Sequence, residues 1–457
     1  LEDKIVFAVE VFAGLKALSR RRAWLWVVVM GFMCLPFVIG CRPAGDAVKL
    51  AHIYDPLAAP SARANCEWIE KALDRYGKLH PDVDISIEQF KWDQIDAKLM
   101  TDYRAGAPHD LAWTSPQWMA KHFAVGDLLD ISPLLNWSAE ETADFSWSPA
   151  WKTAERDGIV IGVPNGVHTR VVCFRRDYFE EAGLDPDNPP ETLDEILEAA
   201  VKLTRQGEGE DVWGLGVYCG RERGTIELAF APLLWHYGGE LWDETTGRAV
   251  FASEAGVKAV EFLYDLMHKH KVCPTWCATG TYDDNILEPF LNGRMAMAWG
   301  WGSYWIEVLE QKGWIQGLFP PTPDGKAVVA DVFVTPTIPQ AQFTNAWLLS
   351  VHAISKRPQE AVDLLDFLVQ PEQLIDFPDA GLPARRSMWD RPEYQTGFYR
   401  RWRRAAEKGK SMPATPHYNE LADGIAAAIQ QILLQNTDVA QTLKRAEDEY
   451  NARFAQL

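Results

Sequence analysis

The sequence predicts an α/β protein on three observations. Short alternating apolar segments fill the first part of the chain, helix-period segments separate them, and helical periodicity dominates the second half. Residues 48–54 alternate apolar with polar or small side chains, and Trp68, Ile69, Ala72, Leu73 and Tyr76 then recur at helical spacing. Val83, Ile85 and Ile87 alternate with Asp84, Ser86 and Glu88; Ile95, Leu99, Met100 and Tyr103 mark a second helix, and residues 110–114 a third strand. Strands joined through helices of this length run parallel with right-handed crossovers, so this part is a sheet whose strand ends form a ligand crevice.

Helices then take over. Thr192 and Glu195 form a capping box ahead of Leu193, Ile196, Leu197, Ala200 and Leu203. Ser253 caps a helix carrying Val257, Val260, Leu263, Tyr264 and Met267, and Pro358 opens another with Val362, Leu365, Phe367 and Leu368. The tail reads as helix over residues 423–434 and 439–454. No polar linker divides these segments.

Composition narrows the function classes. The 457 residues carry 45 Lys and Arg against 64 Asp and Glu, a formal charge of −19, which disfavours nucleic acid as a partner. Twenty Trp exceed what a core needs, since each buried indole must also satisfy its N–H, so some are expected to line a site. At the front, Arg20, Arg21 and Arg22 precede the apolar stretch 23–40, which is short for a membrane span and is interrupted by Pro36. Residues 1–40 therefore read as a signal peptide, with an uncleaved anchor helix as the alternative; the long segment ahead of the arginines and the missing initiator Met point to a translation start further in, for example at Leu18. The end of the stretch, Val38-Ile39-Gly40-Cys41, resembles the lipobox of bacterial lipoproteins, which implies Cys41 as a lipid anchor and a location in the cell envelope, on the extracytoplasmic side of the membrane.

The remaining cysteines are Cys66, Cys173, Cys219, Cys273 and Cys277, an odd number that leaves at least one thiol free. His268, His270, Cys273 and Cys277 have zinc-compatible spacing, but they lack the two well-spaced pairs of a structural site. A local disulfide or buried thiols is the expectation, with no metal and no cofactor.

Seven local motifs, in order, resemble the family 1 bacterial extracellular solute-binding proteins, the maltose-binding-protein-like receptors of ABC importers. They begin with Gly106-Ala-Pro108-His-Asp110-Leu-Ala-Trp113, Gly126-Asp-Leu-Leu-Asp130, and Gly162-Val-Pro164 followed by Phe174-Arg-Arg-Asp177-Tyr-Phe179-Glu-Glu-Ala-Gly183-Leu184. Gly238-Gly239-Glu240-Leu-Trp242, Phe290-Leu-Asn-Gly293-Arg-Met-Ala296-Met297, Asn345-Ala-Trp347 with Ser355-Lys356, and Leu382-Pro383-Ala-Arg385 complete the series. The resemblance implies a two-lobed periplasmic-binding-protein fold with a hinge and an interlobe cleft. It places lobe one at residues 47–164 and 330–381 and lobe two at 165–329 and 382–457. The chain departs from the family pattern at Phe174-Arg175-Arg176-Asp177 and at Asn345-Ala346-Trp347.

The implied function is capture of a mono- or oligosaccharide and its delivery to ABC permease subunits by hinge closure, by a monomer that is not an enzyme. A sugar ring needs flat aromatic faces together with planar hydrogen-bonding groups. Trp299, Trp301 and Trp305 lie in a segment where Gly300 and Gly302 can bare the rings, and Trp347 stands where the family presents a stacking Trp. Loop positions after the strands supply Asp55, Ser115, Gln117, His168 and Arg170. Arg385 is a further cation, and Trp118 and Trp235, with Trp113, are second aromatics. Two other readings stay open: a secreted carbohydrate-active enzyme using acids such as Asp283, Asp284 and Glu288, and a receptor for a non-sugar solute.

Overall fold

The computed structural model describes residues 47–54, 60–207, 211–221, 224–315, 330–333, 342–377 and 381–454. The signal segment 1–40, Cys41 and Asp55 lie outside them. The early part follows the alternation of the sequence: β1 (Val48–His52), α1 (Pro60–Leu79), β2 (Ile85–Gln89), α2 (Trp92–Arg104), β3 (Leu111–Thr114) and α3 (Pro116–Val125). β1 pairs parallel with both β2 and β3, as crossover helices require. α1 is amphipathic and buries Trp68, Ile69, Ala72 and Tyr76 against this sheet. The Trp68 indole donates to Gln373 O at 2.8 Å, which satisfies the N–H that burial would otherwise strand.

The strand that organises the rest is β4 (Val163–Arg175), buried at every position but its last. It is followed by α4 (Leu193–Leu203), β5 (Gly216–Val217), α5 (Glu254–His268), β6 (Met297–Gly302), β7 (Ala330–Phe333) and β8 (Gln342–Val351). The last segments are α6 (Pro358–Leu368), α7 (Gly397–Glu407), β9 (Gly409–Lys410), α8 (Tyr418–Gln435) and α9 (Val439–Phe454). Both expected caps form. Thr192 Oγ1 accepts from Glu195 N while the Glu195 carboxylate returns to Thr192 N, and Ser253 Oγ accepts from Gly256 N.

Nine strands join in one sheet, in the order β2-β1-β3-β8-β4-β6-β5, with β7 added to β4 and β9 to β8. β4 changes partners part-way. Val163 to Thr169 pair antiparallel with β8, whereas Arg170 to Phe174 pair with β6 and Val172 to Arg175 with β7. The sheet thus has two strand groups that hand over between Thr169 and Arg170. Two segments depart from the lobe limits expected above. Residues 330–333 pair with the second group, so the chain rejoins the first group at β8. Leu382 bridges to Val167, and Ser387 is held by the Asp144 carboxylate on the helix Ala139–Phe145, so the segment after 382 packs with the first group.

β6 contains a bulge at Gly300, which has φ +80°. A Cβ there would also lie 2.9 Å from Leu228 Cβ, so only glycine fits both the backbone and the space. Trp299 and Trp301 consequently oppose the adjacent residues Val172 and Val171 and face opposite sides of the sheet.

The five cysteines from Cys66 onward are free thiols, all but Cys66 buried, and Cys219 N donates to Cys277 O at 2.8 Å. His268 Nε2 lies 2.8 Å from Leu433 O, so that ring is engaged by the backbone of α8. Gly300→Ala is expected to lower unfolding free energy by about 1–3 kcal/mol through backbone strain. Urea denaturation followed by far-UV circular dichroism measures this, and an unchanged midpoint would count against the bulge as described.

Candidate functional site

Polar side chains from three elements converge on Glu227. This residue lies in the one-turn helix Ile226–Phe230, which packs on β6, and it is only 4% exposed. Gln117, in the first turn of α3, donates from Nε2 to Glu227 Oε1 at 2.7 Å. The Tyr418 hydroxyl, at the start of α8, donates to the same oxygen at 3.0 Å, and Arg170 Nη2 stands 3.6 Å from Oε2. Burial pushes the Glu227 carboxyl above its ordinary range, while Arg170, Gln117 and Tyr418 pull it back. α3 belongs to the first strand group and the Glu227 helix to the second, so the Gln117–Glu227 bond ties the two together.

Arg170 is the first residue of β4 beyond the hand-over. Its guanidinium carbon lies 5.3 Å from the centre of the Phe343 ring on β8, and Nη1 donates to Thr169 O at 3.4 Å. Next to it on the strand, His168 is buried, with Nδ1 3.5 Å from Ser303 Oγ. Burial and the Arg170 charge hold His168 down to about 3, so its imidazole is neutral.

An aromatic corner adjoins the cluster through α3. Ser115 caps this helix, its Oγ accepting from Gln117 N at 3.3 Å, which fixes the turn that carries both Gln117 and Trp118. The Trp118 ring meets Trp347 edge-on, with centroids 6.3 Å apart and planes at 84°. Trp347 is half-buried and sits on β8 opposite Gly166, beside a bulge. With its amide oriented to satisfy both neighbours, Asn165 accepts from Trp113 Nε1 and donates to Trp347 O, each at 2.7 Å.

The structure therefore gathers Ser115, Gln117, His168, Arg170 and Trp347, whereas other expected residues go elsewhere, Trp118 among them: its ring is buried in a core cluster with Ile95 and Leu99, and only its edge contact with Trp347 links it to the site. Trp301 is not bared by its glycines: it is 0% exposed, packed against Phe290 and Trp305 at 5.1 and 5.6 Å, because both faces of β6 are covered. Trp299 is also buried. Trp235 is buried under Lys410, whose Nζ lies 5.3 Å from the ring centre. Arg385 is a clamp within the first strand group. It donates to Val369 O at 2.9 Å, pairs with Asp144 at 3.3 Å and covers Phe145 at 4.4 Å, so its guanidinium is committed to protein partners. Trp113, the other second aromatic, is fully buried core. The acids Asp283, Asp284 and Glu288 lie within two turns of one helical stretch, with Asp284 accepting from Thr281 Oγ1 at 2.7 Å.

Glu227 and Tyr418 are not among the residues selected from sequence. One signal for Glu227 exists, namely a single carboxylate inside the apolar run from Ile226 to Leu234. Tyr418 has none, since nothing local tells a helix-start Tyr that meets a distant carboxylate from one that does not.

The sequence pattern that defines the bacterial extracellular solute-binding proteins matches residues 62–375. A binding protein of Brucella abortus is 22% identical over 388 residues, covering 84% of this chain and 89% of the relative. Among solved structures, an ABC transporter solute-binding protein of Thermotoga lettingae bound to α-D-tagatose superposes with a TM-score of 0.71 at 24% identity, covering 89% of this chain and 98% of that one. A maltose-bound Thermotoga maritima protein gives 0.70 at 22% identity, over 88% and 99%.

Three buried histidines set the acid limb of stability. His168 is held to about 3, and His52 and His352 to about 4 by burial, whereas unfolded histidine takes a proton near 6.5. The unfolded chain binds more protons in that window, so stability falls as pH drops from about 6.5 toward 4. His168→Gln is expected to remove about 1.4 kcal/mol per pH unit of that slope. Urea midpoints measured from pH 4 to 7 in both proteins test this; parallel curves would contradict it.

Proposed function

The chain belongs to the bacterial extracellular solute-binding protein family, and on that premise we propose that it is a lipid-anchored receptor that captures a carbohydrate and delivers it, unaltered, to an ABC permease. Its fold is that of the two-lobed periplasmic-binding proteins. The observation that carries the carbohydrate reading is the Gln117–Glu227–Arg170–Tyr418 cluster, with Trp118 following Gln117 in α3 and meeting the half-buried Trp347 edge-on. Indole faces and edges suit the C–H face of a pyranose, and the amide, guanidinium and carboxylate offer paired contacts to vicinal hydroxyls. The tagatose- and maltose-bound relatives support that class of ligand.

Closure is the work such a receptor does. The strand groups meet at the Thr169–Arg170 hand-over, and a ligand held by Gln117 and Trp347 from the first group and by Glu227 from the second favours the shut state through its differential contacts. In this reading the protein is a monomer, Cys41 carries the lipid, and no residue performs chemistry on the ligand. Only the shut state would present the right surface to the permease.

A thermal-shift screen against a saccharide panel, followed by fluorescence titration of the hits, tests the reading, because a ligand bound by the folded state raises apparent stability. The sugar should be recovered intact, and a hydrolysed product would replace the receptor by an enzyme. Trp347→Ala is expected to weaken the best sugar by about ten-fold or more, or ~1.4 kcal/mol. An unchanged dissociation constant would remove the aromatic corner from the site.

A further inference from the structure

We propose that Glu227 sets the charge selectivity of the cleft: by neutralising Arg170 it fits the site to neutral polyhydroxylated solutes and shuts out those bearing phosphate or carboxylate. The inference rests on the carbohydrate reading and deepens it. A desolvated guanidinium is the residue of choice for gripping phosphate or carboxylate bidentately. Arg170 is buried at 7% exposure, stacked on Phe343, and stands where the two strand groups meet. Alone, it would make the cleft an anion site.

Glu227 changes that sign. Oε2 forms an ion pair with Arg170 at 3.6 Å, while Oε1 accepts from both Gln117 and Tyr418. The pair is formally neutral. An anion approaching Arg170 would meet a second negative charge in a poorly solvated place, where repulsion is far stronger than in water. A hydroxyl brings no charge: it can accept from the guanidinium or the Gln117 amide and donate to the carboxylate, leaving the balance intact. His168, the titratable neighbour on the strand, is neutral and adds no positive charge that would restore anion binding.

Neutralisation is also tied to closure. The carboxylate is in the second strand group, Gln117 is in the first, and their hydrogen bond holds Glu227 where it meets Arg170. The carboxylate is therefore a specificity group supplied by the second strand group and held in position by a donor from the first.

The test uses the full chain, inorganic phosphate as the anionic probe and the best neutral saccharide from the panel, read by isothermal titration calorimetry. Glu227→Gln keeps an acceptor for Gln117 and Tyr418 but removes the charge. It is expected to gain phosphate affinity by about ten-fold or more over wild type, and the double variant Glu227→Gln with Arg170→Gln is expected to lose that gain. Equal phosphate binding by wild type and Glu227→Gln overturns the proposal. If Glu227→Gln does not fold, wild type and Arg170→Gln decide: phosphate held by wild type and lost in Arg170→Gln overturns it, and no phosphate binding by wild type in the presence of sugar binding supports it. The two readings fail separately. Absence of any saccharide response with the phosphate gain intact removes the carbohydrate reading alone, whereas a sugar-binding wild type that also takes phosphate at Arg170 removes only the charge role.

Discussion

One strand shared by two sets of partners is the constraint on which the rest depends. β4 is buried along twelve of its thirteen positions, and it spends its first half against β8 and its second against β6 and β7. Its register is fixed twice over, because a slip of one residue would reverse its side chains in both groups at once. That fixed register puts His168 and Arg170 on either side of Thr169, whose hydroxyl meets Thr344 Oγ1 at 2.9 Å. The position of the polar cluster is thus a consequence of strand pairing, and the loops only complete it.

Two kinds of side-chain chemistry, aromatic and polar, lie along this part of the fold, and they are held by different means. The aromatic corner is anchored by backbone: Ser115 caps α3, and Asn165 ties Trp347 to Trp113 in the core. The polar cluster is anchored by charge balance, in which a buried carboxylate is tolerable because three donors surround it. Neither arrangement needs a flexible loop. A site built on strands and helix starts holds its geometry more tightly than one carried by a lid, which leaves rotation of one strand group against the other as the coarse motion.

The period-2 and period-3.6 patterns gave the first three strands, the two helices between them, both capped helices, the helix opened by Pro358 and the two tail helices, but not α3, α7 or the buried strands β4, β6 and β8, whose side chains are covered on both faces and so lose the alternation. The site was legible in part: Trp347 by family resemblance, and Ser115, Gln117, His168 and Arg170 as polar residues near strand ends, although the loop placement expected for them is corrected by the structure, which puts His168 and Arg170 inside β4 and makes Ser115 and Gln117 the cap and first turn of α3. It was not legible where burial is decided by partners far along the chain. Arg385 reads as a free cation until Asp144 and Phe145, more than two hundred residues earlier, close over it. Trp301 reads as a bared ring until Phe290 and Trp305 close over it. Tyr418 acquires its role from Glu227, 191 residues away.

The cysteines have a consequence of their own. Cys173, Cys219, Cys273 and Cys277 are buried as thiols, and for Cys173, Cys219 and Cys277 burial pushes the pKa well up, which keeps the reactive thiolate scarce. At Cys277 the neighbours Cys273 and Cys219 add to this push, so these three thiols form one buried group in which one thiol disfavours ionisation of another.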